Sequence, residues 1–102
     1  MIAALLIRDA SPLDLAEIIA IEQRVFPHPW TAGQLAFELN RQPVALNLVA
    51  VSDSRLMGYL MAHVIADVVN LNNLAVDLPV QHRGIGQRLM RSFLERLNGF
   101  NI

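Results

Sequence analysis

A nearly continuous apolar run, Leu56–Ala66, sets the first limit on how this chain can fold. The run is much shorter than the ~20 apolar residues that span a bilayer. Its length is typical of a central strand that is covered on both faces. Because 54% of the residues are hydrophobic and 17% are charged, the chain can bury such a strand. We predict a single domain over residues 1–102.

One strand and two helices are predicted ahead of this run. The strand covers residues 4–8. The segment Ser11-Pro12-Leu13-Asp14 then opens a first helix, with a capping serine, a proline in the first turn and an acidic residue at the positive end of the dipole. Thr31-Ala32-Gly33-Gln34 has the pattern of a capping box and begins a second helix. That helix is expected to end before Pro43.

Three strands and a third helix are predicted for the remainder. The strands cover residues 45–51, 56–66 and 68–76, and they are separated by short turns. A helix over residues 84–97 follows, and Gly99 is expected to end it in the left-handed conformation. The predicted order is therefore β-α-α-β-β-β-α, which is an α/β (α+β) chain.

The segment Gln81-His82-Arg83-Gly84-Ile85-Gly86, between the last strand and the last helix, has a recognisable chemical pattern. A helix N-terminus offers unpaired N–H groups, and glycines allow an anion to approach the backbone. Arg83 and Arg88 are candidates for additional charge-assisted hydrogen bonds. These features indicate a phosphate or pyrophosphate site. From the local pattern alone, a helix start that needs small residues for packing is an equal alternative.

The same segment resembles the Gln/Arg-x-x-Gly-x-Gly/Ala motif of the GCN5-related N-acetyltransferases, and the predicted element order agrees with that superfamily. The resemblance implies an acyl-CoA N-acyltransferase fold, with a mixed sheet flanked by helices. It also implies acetyl-CoA as co-substrate, with the motif at the pyrophosphate and the preceding strand along the pantetheine arm. The implied cofactor-binding residues are Leu74, Ala75, Val76, Gln81, His82, Arg83, Gly84, Ile85, Gly86 and Gln87.

A second segment, Phe26-Pro27-His28-Pro29-Trp30, is similar to the Phe-x-x-Pro-Trp segment of ribosomal-protein-alanine N-acetyltransferases. This similarity implies acetyl transfer to a protein N-terminal amine, with the alanine of a ribosomal protein as the expected acceptor. Pro29, Trp30 and Glu22 are the expected substrate-binding residues. For Glu22 two interpretations stay open, a carboxylate facing the substrate and, favoured, a solvated one at the edge of the apolar stripe of the first helix.

The catalytic base and acid stay unknown. Many superfamily members place a glutamate on the fourth strand, but residues 68–76 contain no acidic residue, and Asn70 lies near the expected position. In the resembled subfamily the base and an acidic tyrosine come from elements that would follow Ile102. The fold is therefore expected to lack its C-terminal strands and helix, and the chain to be weakly active or inactive. Tyr59 and His63 are interpreted as core residues.

The remaining expectations concern partners and location. A net charge of −1 gives no electrostatic basis for nucleic-acid binding, and residues 1–7 lack the basic start of a signal peptide. We predict a cytoplasmic protein that binds neither membrane nor metal. The open edge of the strand at 68–76 is expected to attract a partner strand or a second copy. Two alternatives to the enzyme are a non-catalytic coenzyme A-binding or partner-binding module, and a small domain without a ligand.

Overall fold

The computed structural model describes residues 4–100. Its four strands form one sheet in the order β1-β2-β3-β4, namely β1 (Leu6–Asp9), β2 (Ala45–Ser52), β3 (Arg55–Ile65) and β4 (Val68–Val76). Its three α-helices are α1 (Leu15–Val25), α2 (Ala32–Leu39) and α3 (Ile85–Leu97). The predicted order β-α-α-β-β-β-α is confirmed.

Two capping boxes lie ahead of β2, and one of them caps an α-helix directly. Thr31 and Gln34 form the predicted capping box, with bonds of 3.1 and 2.8 Å. Ser11 and Asp14 form another, but it caps a 3₁₀ turn at Pro12–Asp14, and α1 itself begins at Leu15. The caps satisfy N–H groups that have no partner within the helix.

The helices cover both faces of the sheet and build two apolar clusters. Helices α1 and α2 pack on the face that carries Tyr59, Met61 and Ala75. Helix α3 packs on the opposite face, against Leu60 and Ala62. Strand β3 pairs with a neighbour on each side and is buried on both faces along most of its length, which confirms the prediction for the apolar run.

All three strand pairings among the described residues are antiparallel, so this part of the sheet shows no parallel component of a mixed sheet. The reason is local, because β2, β3 and β4 are joined by tight hairpins. In the first hairpin, Asp53 and Ser54 have φ of 51° and 64°, as expected for a two-residue turn that follows the twist of the strands.

A β-bulge interrupts β4 at Asn72. Met61 pairs with Asn73 and Ala62 pairs with Leu71, which leaves Asn72 as the extra residue. One extra residue breaks the alternation of side chains between the two faces. As a result, Asn72 and Asn73 both project toward α1 and α2, where each has a hydrogen-bond partner.

The prediction that Gly99 ends α3 in the left-handed conformation is wrong. The chain continues beyond Leu97 as a 3₁₀ turn, Asn98–Phe100, which requires right-handed backbone angles. Among the described glycines, Gly84 has a positive φ and Gly99 does not. No helix in the described residues is long and apolar enough to cross a membrane. Residues 1–3, which belong to the segment considered as a signal peptide, lie outside the described residues.

Candidate functional site

A groove of about 680 Å³ lies between the end of β4 and the start of α3. It is lined by Val25, Leu74, Ala75, Val76, Gln81, His82, Gly84, Ile85, Gly86 and Gln87. Nine of these residues are those expected to bind the cofactor, and Val25 is an addition from the end of α1. The groove therefore joins a strand edge and a helix N-terminus in one concave surface.

The start of α3 gives the groove its anion-binding character. Gly84 caps the helix with φ 82° and ψ 8°, a conformation that glycine adopts without steric cost. The first bond of the helix runs from the Arg88 N–H to the Gly84 carbonyl, at 3.1 Å. The N–H groups of Ile85, Gly86 and Gln87 consequently have no acceptor within the helix, and they carry the positive end of its dipole.

The loop before α3 is braced from both sides. Asp77 accepts two hydrogen bonds from the Arg24 guanidinium, at 2.9 and 2.8 Å, and also caps the Leu78 N–H at 2.9 Å. The hydrogen bond from Arg24 holds the pKa of Asp77 below its usual value. On the groove side, Gln81 Nε2 donates to the Val76 carbonyl at 3.0 Å. The loop is therefore tied to α1 and to the end of β4.

Strand β4 is one of the two edge strands of the described sheet, since it pairs with β3 alone. An edge strand leaves a row of backbone donors and acceptors unpaired. The close approach of β3 and β4 at this end depends on Gly58, because a Cβ there would lie 2.6 Å from the Ala75 carbonyl oxygen. The part of β4 that lines the groove is thus held tightly against β3.

A buried carboxylate lies behind the groove. Glu22 of α1 is 2% exposed. It accepts hydrogen bonds from the Tyr59 hydroxyl, from the Asn73 side-chain amide at 2.6 Å and from the Trp30 backbone N–H at 2.9 Å. Burial, with the hydrogen bond to Glu22, raises the pKa of Tyr59 far above its usual value, so the phenol remains a donor. The solvated interpretation of Glu22 is therefore wrong.

A second polar cluster lies at the end of α2. Glu38 receives bonds from Arg41 at 3.4 Å and from Asn72 at 3.2 Å. His63 Nδ1 lies 3.2 Å from Arg41 Nη1 and 2.9 Å from Asn72 Nδ2. Both neighbours are donors, so this nitrogen acts as an acceptor. His63 is hydrogen-bonded as expected, although it is half-buried rather than fully enclosed.

The segment at Trp30 borders another concavity, of about 460 Å³. Its lining comes from Trp30, Thr31, Gly33, Gln34, Phe37 and Glu38. Pro29 is exposed and Trp30 is half-buried. Of the predicted substrate residues, Trp30 thus lines this concavity, together with Phe37 and Glu38, whereas Pro29 and Glu22 do not.

The acetyltransferase (GNAT) family model matches residues 15–102 of this chain. The chain belongs to that family. The match begins with α1 and includes the whole groove between β4 and α3, which is the part of the fold described above as anion-binding.

Similar GNAT proteins include the [ribosomal protein bS18]-alanine N-acetyltransferases of Salmonella typhimurium, 33% identical over 87 residues, and of Escherichia coli K12, 29% identical over 84 residues. The matches cover 85% and 82% of this chain. The chain spans 57% and 55% of the length of these two relatives.

Solved structures give the same fold. The ribosomal-protein-S18-alanine N-acetyltransferase of Escherichia coli has a TM-score of 0.86 at 26% identity, covering 92% of this chain and 59% of that one. A Brucella melitensis GNAT acetyltransferase in complex with acetyl-CoA has a TM-score of 0.77 at 25% identity, covering 94% and 70%. The PaiA N-acetyltransferase of Thermoplasma acidophilum, in complex with coenzyme A, has a TM-score of 0.86 at 21% identity, covering 97% and 75%.

Neither of the two arginines named as candidates for additional hydrogen bonds to an anion faces the groove in this structure. Arg83 is exposed and does not line the groove. The Arg88 guanidinium donates instead to the Leu5 carbonyl, at 3.2 Å. The anion-binding potential of the groove therefore comes mainly from backbone N–H groups.

The sequence interpretation missed Asn72 and Asn73, and it did not connect Glu22 with Tyr59. The signal for the asparagines was present, because asparagine is depleted in strands and two adjacent polar residues break the alternating pattern. The connection between Glu22 and Tyr59 had no sequence signal, since 37 positions separate them.

Proposed function

We propose that the groove between β4 and α3 binds acetyl-CoA, and that the chain belongs to an N-acetyltransferase of protein N-terminal amines. The observation that carries this proposal is the meeting of Leu74–Val76 with Gly84–Gln87 in one groove at a helix N-terminus. Backbone N–H groups there suit a pyrophosphate. The open edge of β4 suits an extended amide-bearing arm.

The acceptor is proposed to be an alanine N-terminus of a ribosomal protein. The support is the similarity to bS18-alanine N-acetyltransferases. Pro29 and Trp30 are proposed to contact the acceptor peptide, and Glu22 to support them through the Trp30 N–H. Bound acetyl-CoA supplies the thioester, while the residues of the chain bind and orient the two substrates. We also propose a cytoplasmic location.

A second candidate function is a coenzyme A-binding module without turnover. It is favoured by the surroundings of Glu22 and Glu38, two buried carboxylates close to Trp30, because both accept hydrogen bonds from donors within the chain. Neither is therefore a free base in the described residues. A partner strand on the β4 edge stays a prediction for either function. Mass spectrometry of a bS18 N-terminal peptide incubated with acetyl-CoA separates the two, since only the enzyme adds an acetyl group.

Thermal melting with and without acetyl-CoA tests the groove itself. A ligand at a hundredfold excess over its Kd stabilises the folded state by about 2.7 kcal/mol. For a domain of this size the gain corresponds to a Tm increase of roughly 12 °C. Gly84→Asp should abolish the increase, because it places a side chain and a negative charge beside the free N–H groups.

Two control variants separate charge from shape. Gly84→Asn has nearly the same size and also tolerates the left-handed conformation, so it should retain more of the ligand effect than Gly84→Asp. Gly99→Asp adds the same charge at an exposed glycine with no heavy atom within 4 Å of its added Cβ, and it should retain the full increase. A wild-type Tm that is unchanged by acetyl-CoA would contradict the proposal, and so would a Tm increase of wild-type size in Gly84→Asp.

A further inference from the structure

Glu22 connects three separate parts of the chain through one carboxylate. Its donors are the Tyr59 hydroxyl from β3, the Asn73 amide from β4 and the Trp30 N–H from the segment between α1 and α2. All three are neutral groups. Within the described part of the chain, no cationic side chain lies at salt-bridge distance from Glu22. The negative charge is therefore held by hydrogen bonds that are individually strong.

On the strand side, Asn73 lies opposite Met61 and two residues before Ala75, so its side chain lies on the face of β4 that packs against α1. Asn73 lies directly before Leu74, the first strand residue of the groove. A fixed Asn73 side chain consequently fixes the point at which β4 enters the groove.

On the segment side, the bond fixes the backbone at Trp30. Residues 27 and 29 are prolines and have no N–H to donate, and the donor that reaches Glu22 is the N–H of Trp30, directly after Pro29. It reaches Glu22 Oε2, while Asn73 and Tyr59 reach Oε1. The two oxygens of one carboxylate thus join the Trp30 segment to the bulged strand.

The geometry points to Glu22 as a positioning residue that sets the acceptor-binding segment at Trp30 relative to the cofactor-binding end of β4. This inference rests on the proposed function and deepens it. Glu22 contacts neither substrate in this role, because it is buried and its oxygens already accept three bonds. Its effect is on the alignment of the two substrates, because a misplacement of the reacting groups by about 1 Å is enough to slow a reaction strongly.

The test uses the full chain and two separate affinities. Trp30 is the single tryptophan, so its fluorescence reports on the segment directly. In Glu22→Ala we expect Trp30 emission at longer wavelength and an affinity for a bS18 N-terminal peptide, measured with saturating coenzyme A, that is lower by about tenfold or more. Coenzyme A affinity should stay within about twofold of the wild-type value.

Two variants distinguish positioning from plain stabilisation. Glu22→Gln should restore the peptide affinity to within about threefold, because its amide oxygen can accept from the Trp30 N–H while its NH₂ faces groups that can also accept. Tyr59→Phe removes one donor but leaves the bonds to Trp30 and Asn73. It should lower the Tm without changing Trp30 emission or peptide affinity.

The following results would overturn the positioning role of Glu22. Equal losses of peptide and coenzyme affinity in Glu22→Ala, or unchanged Trp30 emission, would show that Glu22 is only structural. If Glu22→Ala does not melt cooperatively, Asn73→Ala takes its place. It cuts the link on the strand side, and wild-type peptide affinity in that variant would overturn the role. A wild-type protein that binds no peptide would overturn the acceptor assignment together with this role, whereas peptide binding that is indifferent to Glu22→Ala would overturn this role alone.

Discussion

Gly58→Ala should destabilise the sheet at the strand that forms the groove. Gly58 lies in β3, opposite Val76 of β4. An added Cβ would lie 2.6 Å from the Ala75 carbonyl oxygen, 3.3 Å from Val76 Cα and 3.5 Å from Leu89 Cδ1. Favourable contacts between heavy atoms are near 3.5–4.0 Å, so β4 has to move away from β3 by about 1 Å.

The cost follows from that displacement. Overpacking of a close-packed region typically costs about 1–3 kcal/mol, and weakened hydrogen bonds between the strands add about 0.5–1.5 kcal/mol each. Alanine also reduces the conformational entropy of the unfolded chain, which offsets about 0.4–1 kcal/mol of this cost. We expect a net loss of about 2–3 kcal/mol, which lowers the Tm by roughly 10–15 °C for a chain of this length.

Thermal and urea melts followed by circular dichroism measure this loss, and Gly33→Ala is the matched control. Gly33 lies in α2, and the nearest atom to its added Cβ is Thr31 Oγ1 at 3.9 Å. The same substitution there should stabilise the protein by about 0.4–1 kcal/mol. If Gly58→Ala melts within about 2 °C of the wild type, or shifts in the same direction as Gly33→Ala, then the tight contact between β3 and β4 does not exist.

Three further predictions concern charged and titratable groups. Asp77→Asn should weaken acetyl-CoA binding by about two- to fivefold while changing the Tm little, because the Arg24 side of this pair is exposed; calorimetric titration and melting measure both. Tyr59 is the single tyrosine, and its raised pKa means that absorbance at 295 nm should stay flat through pH 10 in the folded protein but rise there in urea. Because the pKa of an unfolded tyrosine is 10.0, stability from this site is complete below pH 10 and is lost as pH rises above it; a folded-state titration near pH 10 would contradict the burial of the phenol. The hydrogen bond from Arg8 lowers the pKa of Asp14 below 3.8, so the contribution of this pair to stability is complete above about pH 4 and is lost as pH falls through the folded-state pKa. Asp14→Asn should therefore reduce the fall of the Tm at acidic pH, and an unchanged fall would refute the assignment.

The sequence by itself determined the elements that depend on local chemistry. The capping box at Thr31 and Gln34, the apolar run of β3 and the turn between β2 and β3 are short-range patterns, and the structure has all of them. The groove residues were also accessible from sequence. They lie in two short segments on either side of one loop, so their proximity follows from chain connectivity alone.

Only the tertiary structure decided the environment of Glu22. Its spacing on α1 places it at the edge of an apolar stripe, where a solvated carboxylate is the usual outcome. The packing of α1 on the bulged strand buries it instead, because Asn73 and Tyr59 arrive from 51 and 37 positions away to satisfy its charge. A one-dimensional pattern cannot contain such a pairing, since burial of a charge depends on which donors the fold brings to it. The same reason explains Arg88, whose guanidinium donates to the carbonyl of Leu5, 83 positions away and directly before β1.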